Sequence, residues 1–166
     1  MRAKFAASVA ALLLVAATAA AQTKPNFAGT WVLDASKSEG VPQGVEETMA
    51  VTHDGDKFVV ESKMKSPRGE RTVNMDFAAD GKEGDFTLRM MQNEVKGKRT
   101  AKWSADGAAL EITETADGVP TPDGGTANIK NWRKWTLSSD GKTLTAEETR
   151  TTPRGEQKSK RVYTKQ

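Results

Sequence analysis

The 166-residue chain contains no cysteine, one histidine and one tyrosine. Without cysteine it has no disulfide framework and no thiolate chemistry. The single histidine, His53, is accompanied by no Gly-x-Ser-x-Gly turn. Glu47 and Asp54 lie near it and suggest a metal site, but three such ligands on one hairpin without a fourth are common by chance. We therefore expect no enzyme activity, no cofactor and no metal.

Long apolar runs are also scarce. One run extends from Phe5 to Ala17, follows Arg2 and Lys4, and ends at three alanines, 19–21. This pattern is typical of a secretory signal peptide, and the run is shorter than the roughly 20 residues of a membrane span. We expect cleavage after Ala21, one domain over residues 22–166, no membrane span, and a secreted or periplasmic location.

The sequence has no excess of charge of one sign. Residues 1–21 hold two of the 25 basic residues and none of the 22 acidic ones, so the remainder carries 23 − 22 = +1. Basic and acidic residues alternate and do not form the concentrated basic face of a nucleic-acid binder. We expect no nucleic-acid partner, and we expect a monomer.

Helical periodicity is absent after residue 24, where apolar residues recur with period two. The runs are separated by Asp-Gly pairs at 54–55, 80–81, 106–107 and 140–141, and by Pro-Arg-Gly at 67–69 and 153–155, which are typical of tight hairpins. Ten strands are predicted, near 28–34, 46–53, 57–65, 70–79, 84–92, 97–104, 108–115, 128–138, 143–151 and 157–165.

Strands joined by tight hairpins are antiparallel neighbours. The predicted fold is therefore all-β, an up-and-down antiparallel meander closed into a barrel of about ten strands, since closure removes exposed edges. A β-sandwich is the alternative. Residues 35–45 and 115–126 are predicted as rim loops. A barrel of this size leaves an internal cavity, because about eight strands already hold one small ligand.

The predicted inner face differs along the chain. The earlier strands place apolar side chains inward, such as Met49, Phe58 and Met75, whereas the later strands mix apolar and charged ones. The charged inward set is Arg99, Glu114, Arg133, Glu148, Arg150 and Arg161, with an apparent excess of +2. Such charges indicate an ion-pair network or a water-filled lumen. The other interpretation is a register slip that turns some of them to solvent.

Two segments carry a family resemblance. Residues 27–31, Phe-Ala-Gly-Thr-Trp, resemble the Gly-x-Trp start of lipocalins and fatty-acid-binding proteins, the calycin group, and Arg161-x-Tyr163 resembles the last strand of the latter. The whole chain resembles small secreted bacterial lipocalin-like proteins of unassigned function. The resemblance implies a calycin-type barrel in which Gly29 and Trp31 are structural. It departs at residues 35–45, which are too few for the helix pair of fatty-acid-binding proteins.

The resemblance also implies a ligand site. In fatty-acid-binding proteins an arginine of an earlier strand joins the Arg-x-Tyr pair at the ligand carboxylate, and Arg133 matches it here. The predicted ligand-binding residues are Arg133, Arg161, Tyr163, Trp135 and Arg99. Arg161 has a second interpretation, in which it stacks on Trp31 by a cation–π contact. Trp132 falls on the face opposite Trp135.

The predicted function is therefore binding of a small amphipathic or anionic ligand in the barrel lumen. The alternative is an envelope structural or interaction module whose barrel is filled by its own side chains and takes no small molecule. The fold-level likeness that favours the first is an analogy. A cavity of about 300 Å3 or more distinguishes the two.

Overall fold

The structure is a computed structural model, described for residues 24–90, 93–121 and 123–166. The predicted signal peptide, residues 1–21, lies outside the described residues. The described residues form ten strands: β1 Gly29–Leu33, β2 Glu46–Asp54, β3 Lys57–Ser66, β4 Gly69–Ala78, β5 Asp80–Met90, β6 Asn93–Trp103, β7 Ala109–Pro120, β8 Thr126–Leu137, β9 Thr143–Thr152 and β10 Gly155–Lys165. A 3-10 helix, Ala35–Lys37, follows β1. No described helix is long and apolar enough to cross a bilayer.

All ten strands belong to one sheet in the order β4-β3-β2-β1-β10-β9-β8-β7-β6-β5, and every described pairing is antiparallel. The last strand therefore returns to the first, with Trp31 opposite Lys165. This confirms the predicted all-β antiparallel meander of about ten strands, and the sheet nearly closes into a barrel. The alternative prediction, a β-sandwich, is wrong, because the described strands form one continuous sheet that curves into a barrel.

The turns explain why the strands are antiparallel neighbours. In the β8–β9 turn, Ser138 Oγ donates to Asp140 at 2.5 Å and Gly141 N donates to Ser138 O at 2.9 Å. Gly141 has a φ of 68°, which an L side chain rarely adopts. The β6–β7 turn repeats this arrangement with Ser104 and Asp106. Sequence signals of the Asp-Gly type thus correspond to real hairpins at both positions.

The barrel does not close completely, because β4 and β5 are the two edges of the sheet. Our expectation that closure removes both edges is wrong here. The Asp80–Gly81 pair resembles the hairpin turns but carries the chain from one edge to the other. Arg99 of β6 bridges this seam: its Nη1 donates to Asp76 O at 3.4 Å, and its guanidinium lies 4.9 Å from the ring centroid of Phe86. The side chain of Arg99 therefore contacts both edge strands, β4 and β5, which the described backbone hydrogen bonds do not join.

The predicted rim loop at 115–126 is also wrong in extent. Strand β7 continues to Pro120 and the register shifts between Ala116 and Val119. Gly118, with a φ of 68°, lies in this irregularity, and Val119 is buried, 3% exposed, just beyond it. A bulge inserts extra residues without ending the strand. The proline and glycine content of the segment therefore marks a bulge and a short turn.

One end of the barrel is filled by aromatic side chains. Phe27, which precedes β1, packs between Trp103 and Trp135, with ring centroids at 6.0 and 5.9 Å, and also meets Phe58 at 6.2 Å. Trp31 is fully buried and its Nε1 donates to Phe27 O at 2.9 Å. We call these five aromatics the closed end. Their burial supplies much of the hydrophobic stabilisation of the fold.

Gly29 leaves space for the side chain of Lys165 on the last strand. Its φ is 137°, and a Cβ there would lie 2.6 Å from Lys165 Cε. The ammonium of Lys165 lies 5.3 Å from the ring centroid of Trp31. The interpretation that Arg161 stacks on Trp31 is therefore wrong, because Lys165 holds that place.

Candidate functional site

The barrel interior beyond the closed end is lined by charged side chains. The six that the period-two pattern places inward all lie on the inner face with their apolar neighbours, and cross-strand pairs such as Arg99 opposite Glu114 and Arg133 opposite Glu148 join them. Glu47 of β2 belongs to the same face, between Val45 and Met49 in the alternation of buried residues. The interior therefore holds an ion-pair network, one of the two predicted interpretations.

The first group of charges centres on Glu114 of β7, which is 5% exposed. Arg99 donates to its Oε1 from Nε at 2.7 Å and approaches it through Nη2 at 2.6 Å. Arg133 donates from Nη1 to Oε2 at 2.8 Å and lies 3.6 Å from Glu148. Burial opposes ionisation of Glu114, but the two guanidinium groups outweigh it and hold the pKa of this carboxyl below its usual value. Glu114 is thus a buried anion held by two cations.

The second group centres on Glu47, which is 6% exposed. Its Oε1 accepts a hydrogen bond from Ser62 Oγ at 2.6 Å. Its Oε2 accepts from Arg161 Nη1 at 2.9 Å and from the hydroxyl of Tyr163 at 3.1 Å. Sequence reasoning assigned no inward role to Glu47, because it was considered only beside His53 and Asp54. Glu47 precedes Met49 and Val51 by two and four residues, so the period-two alternation of β2 predicts that it faces inward with them.

Tyr163, the only tyrosine of the chain, remains protonated in this setting. Burial raises the pKa of its hydroxyl well above the usual value, and the carboxylate of Glu47 raises it further, while Arg161 acts in the opposite sense. The hydroxyl is therefore a hydrogen-bond donor. Its partner in the structure is Glu47.

Glu47 changes the charge count of the interior. Among its buried and half-buried charged side chains, four arginines face three glutamates, so the excess of this set is 4 − 3 = +1, and the predicted +2, which omitted Glu47, is wrong. The remaining cation is Arg150 of β9, which has no carboxylate within ion-pair distance among the described residues. Its Nε is buried without a hydrogen-bond partner. Arg150 is thus a half-buried arginine of the described inner face that is available for an anion from outside.

A cavity of about 1130 Å3 lies at the end opposite the aromatics. We call it the mouth cavity. Its walls are the connection before β2, the β3–β4 hairpin, and the facing parts of β9 and β10. The charged lining residues are Arg68, Glu70, Arg71, Glu148, Arg150, Lys158 and Arg161. Five are basic and two are acidic, so the lining carries 5 − 2 = +3. Val45, Met64 and Pro67 add apolar surface.

The predicted ligand-binding residues are spread over the molecule. Arg161 lines the mouth cavity, and Arg99 lines a cavity of about 220 Å3 at the β4–β5 seam. Tyr163 and Arg133 are joined to interior carboxylates. Trp135 is 2% exposed and packs in the closed end. The structure therefore does not bring Arg133, Arg161 and Tyr163 together on one carboxylate: Arg133 is paired with Glu114, and the other two with Glu47.

His53 has a structural role. Its Nδ1 accepts from Phe27 N at 3.2 Å, so the ring proton is on Nε2, which lies 2.9 Å from Gly55 O and donates to it. The ring stacks on Phe58 with centroids 4.0 Å apart. Glu47 lies six positions away along β2 and pairs with Arg161. Within the described residues no group of three or more candidate ligands could hold a metal ion.

Comparison with known proteins finds similar solved structures but no similar family. The sequence matches no known family model and no curated protein. Among solved structures, it is similar to the ileal bile acid-binding protein of zebrafish in complex with cholic acid, with a TM-score of 0.54, 18% identity, and 84% of this chain and 98% of that one covered.

Two secretory abundant heat soluble proteins of Ramazzottius varieornatus are also similar in fold. Their TM-scores are both 0.50, with 15% and 16% identity, and they cover 84% and 86% of this chain. At these identities the likeness establishes the fold alone. It agrees with the predicted calycin-type barrel.

Proposed function

We propose that this protein binds a small amphipathic anion, such as a carboxylate with an apolar body, in the mouth cavity. The observation that carries the proposal is Arg150, the interior arginine left without a carboxylate partner, on the wall of a cavity of about 1130 Å3. This volume is above the range of about 300–1,000 Å3 common for small-molecule sites. A fold neighbour in complex with cholic acid supports the same ligand class.

The chemistry of the cavity fits such a ligand. A guanidinium pairs with a carboxylate through two parallel N–H···O bonds, and burial strengthens the contact because water competes less for it. Val45, Met64 and Pro67 supply apolar surface for the remainder of the molecule. The excess of basic side chains in the lining attracts anions to the mouth.

The test is calorimetric titration of the purified protein with lauric acid, cholic acid and the neutral dodecanol. We expect the acids to bind and the alcohol to bind far more weakly. Arg150→Gln should weaken acid binding roughly 10- to 100-fold, because charge-assisted hydrogen bonds contribute about 1.5–3 kcal/mol. Arg154→Gln, an exposed arginine in the β9–β10 turn, is the matched control and should bind like the wild type.

The second candidate is a structural or interaction module without a small ligand. It is favoured by the filled closed end and by the carboxylates that already satisfy most interior arginines. If a folded wild-type protein binds none of the acids, or binds them equally in Arg150→Gln, this second function replaces the first.

We further propose export to the secreted or periplasmic space, with residues 1–21 removed. The support is the pattern of Arg2 and Lys4, an apolar run and the alanines at 19–21. Intact-mass analysis of the exported protein should show a chain that begins at Gln22. An exported chain that retains residues 1–21 would contradict the proposal.

A further inference from the structure

The hydrogen bonds around Glu47 have the form of a carboxylate-binding site. Three donors, the hydroxyls of Ser62 and Tyr163 and the guanidinium of Arg161, converge on its two oxygens at 2.6–3.1 Å. The donors come from β3 and β10, whereas the carboxylate comes from β2. Glu47 and Arg161 are 114 residues apart in the chain.

We infer that Ser62, Arg161 and Tyr163 form an anion site that the chain occupies with its own Glu47. A carboxylate accepts about four hydrogen bonds, and Glu47 receives three from this set. The carboxylate is almost fully buried. Glu47 therefore excludes other anions from this site as long as its side chain is present.

The site communicates with the mouth cavity. Arg161 lines that cavity while its Nη1 holds Glu47, and its buried Nε has no hydrogen-bond partner. An anion that enters from the mouth reaches Arg161 but finds Glu47 already on the donors. Glu47 thus limits how deep a charged group can enter the barrel. Glu47 occupies these donors whether or not the wild-type protein binds a ligand in the mouth cavity.

Binding of acetate to the variant Glu47→Ala tests this inference. Glu47→Ala removes a methylene and a carboxylate beyond Cβ, and the non-hydrogen atoms of these groups are those of an acetate ion. We expect acetate to raise the melting temperature of Glu47→Ala by several degrees relative to equal concentrations of sodium chloride, because a ligand that binds the folded state stabilises it. The wild type should gain much less, since its own carboxylate occupies the donors.

Glu47→Gln is the matched control, because it keeps the side-chain volume and leaves no space for acetate. Acetate should not raise the melting temperature of Glu47→Gln beyond the effect of equal concentrations of sodium chloride. Equal gains in Glu47→Ala, Glu47→Gln and the wild type would mean that acetate binds elsewhere, and would overturn the inference. No gain in a folded Glu47→Ala would overturn it as well.

Tyr163 offers a second measurement if Glu47→Ala does not fold. As the only tyrosine, it reports its ionisation by absorbance at 295 nm. In Glu47→Gln the ionisation should begin at lower pH than in the wild type, because the neighbouring negative charge is gone. An unchanged titration would contradict the placement of Glu47 on these donors. Failure of the lipid titrations with Arg150→Gln would leave both of these results untouched.

Discussion

The two ends of the barrel differ in what fills them. At the closed end, Phe27, Trp31 and Trp135 bury aromatic surface against one another and leave little exposed area. Toward the mouth, the inner face carries seven buried or half-buried charged side chains, and the space between the hairpins is open. Burial of the aromatics stabilises the fold, whereas the open space toward the mouth is large enough for a small-molecule site. We therefore expect substitutions at the closed end to change stability and substitutions at the mouth to change the proposed binding.

The largest expected effect is at the closed end. Trp31→Ala should lower the free energy of unfolding by about 3–5 kcal/mol, the usual cost of emptying a large core aromatic. Trp132, on the outer face and half-buried, is the control, and Trp132→Ala should cost under about 1 kcal/mol. Urea unfolding measures both. Equal losses would show that the closed end does not carry the stability assigned to it.

The interior charges toward the mouth should also stabilise the fold, by a smaller amount. Glu114→Gln removes the anion that Arg99 and Arg133 share, leaving two buried cations without it. We expect a loss of about 3 kcal/mol at pH 7, at the lower end for removal of one partner from a buried pair. Glu61→Gln, an exposed glutamate on β3, should change the urea midpoint little.

The ion pairs of Glu114 with Arg99 and Arg133 also predict that stability depends on pH. The pKa of Glu114 is lowered in the folded state from its ordinary value of 4.5. A carboxyl with a lowered folded pKa contributes stability that is complete above 4.5 and is lost as the pH falls toward its folded pKa. The wild type should therefore lose more stability than Glu114→Gln between pH 5 and 3, to be measured by urea unfolding at each pH. Parallel curves would contradict the assignment.

The smallest expected effect is at the surface of the closed end. Lys165→Ala removes the ammonium over the ring of Trp31 and should cost about 0.5–1 kcal/mol, as exposed cation–π contacts do. Arg161→Ala, which leaves Glu47 without its cation, should cost more. The opposite ranking would restore Arg161 as the residue that covers Trp31.

The local sequence predicted the strands better than it predicted their partners. Period two and the Asp-Gly turns are local signals, so ten strands and the inner face could be found from them. Asp80–Gly81 has the same local signal but joins the two sheet edges. Nothing within a few residues of this pair distinguishes a hairpin from a corner.

The candidate site was harder to predict for a related reason. The pairing of Glu47 with Arg161 joins residues 114 positions apart, and no local pattern contains that information. The parity of Glu47 with Met49 indicated that it faces inward, but a charge among apolar neighbours is readily assigned to the surface. The position of a cavity depends on which side chains fill the remaining space, so only the three-dimensional arrangement shows that Arg150 lines the mouth cavity.

The most direct test of the difference between the two ends is a heteronuclear NMR titration with lauric acid. Each of the four tryptophans gives an indole N–H signal, and arginine gives a side-chain Nε–H signal. We predict that the Nε–H signal of Arg150 shifts on binding while the indole signals of Trp31 and Trp135 remain in place. Shifts of these indole signals without a shift at Arg150 would contradict the account, because they would place the ligand at the closed end.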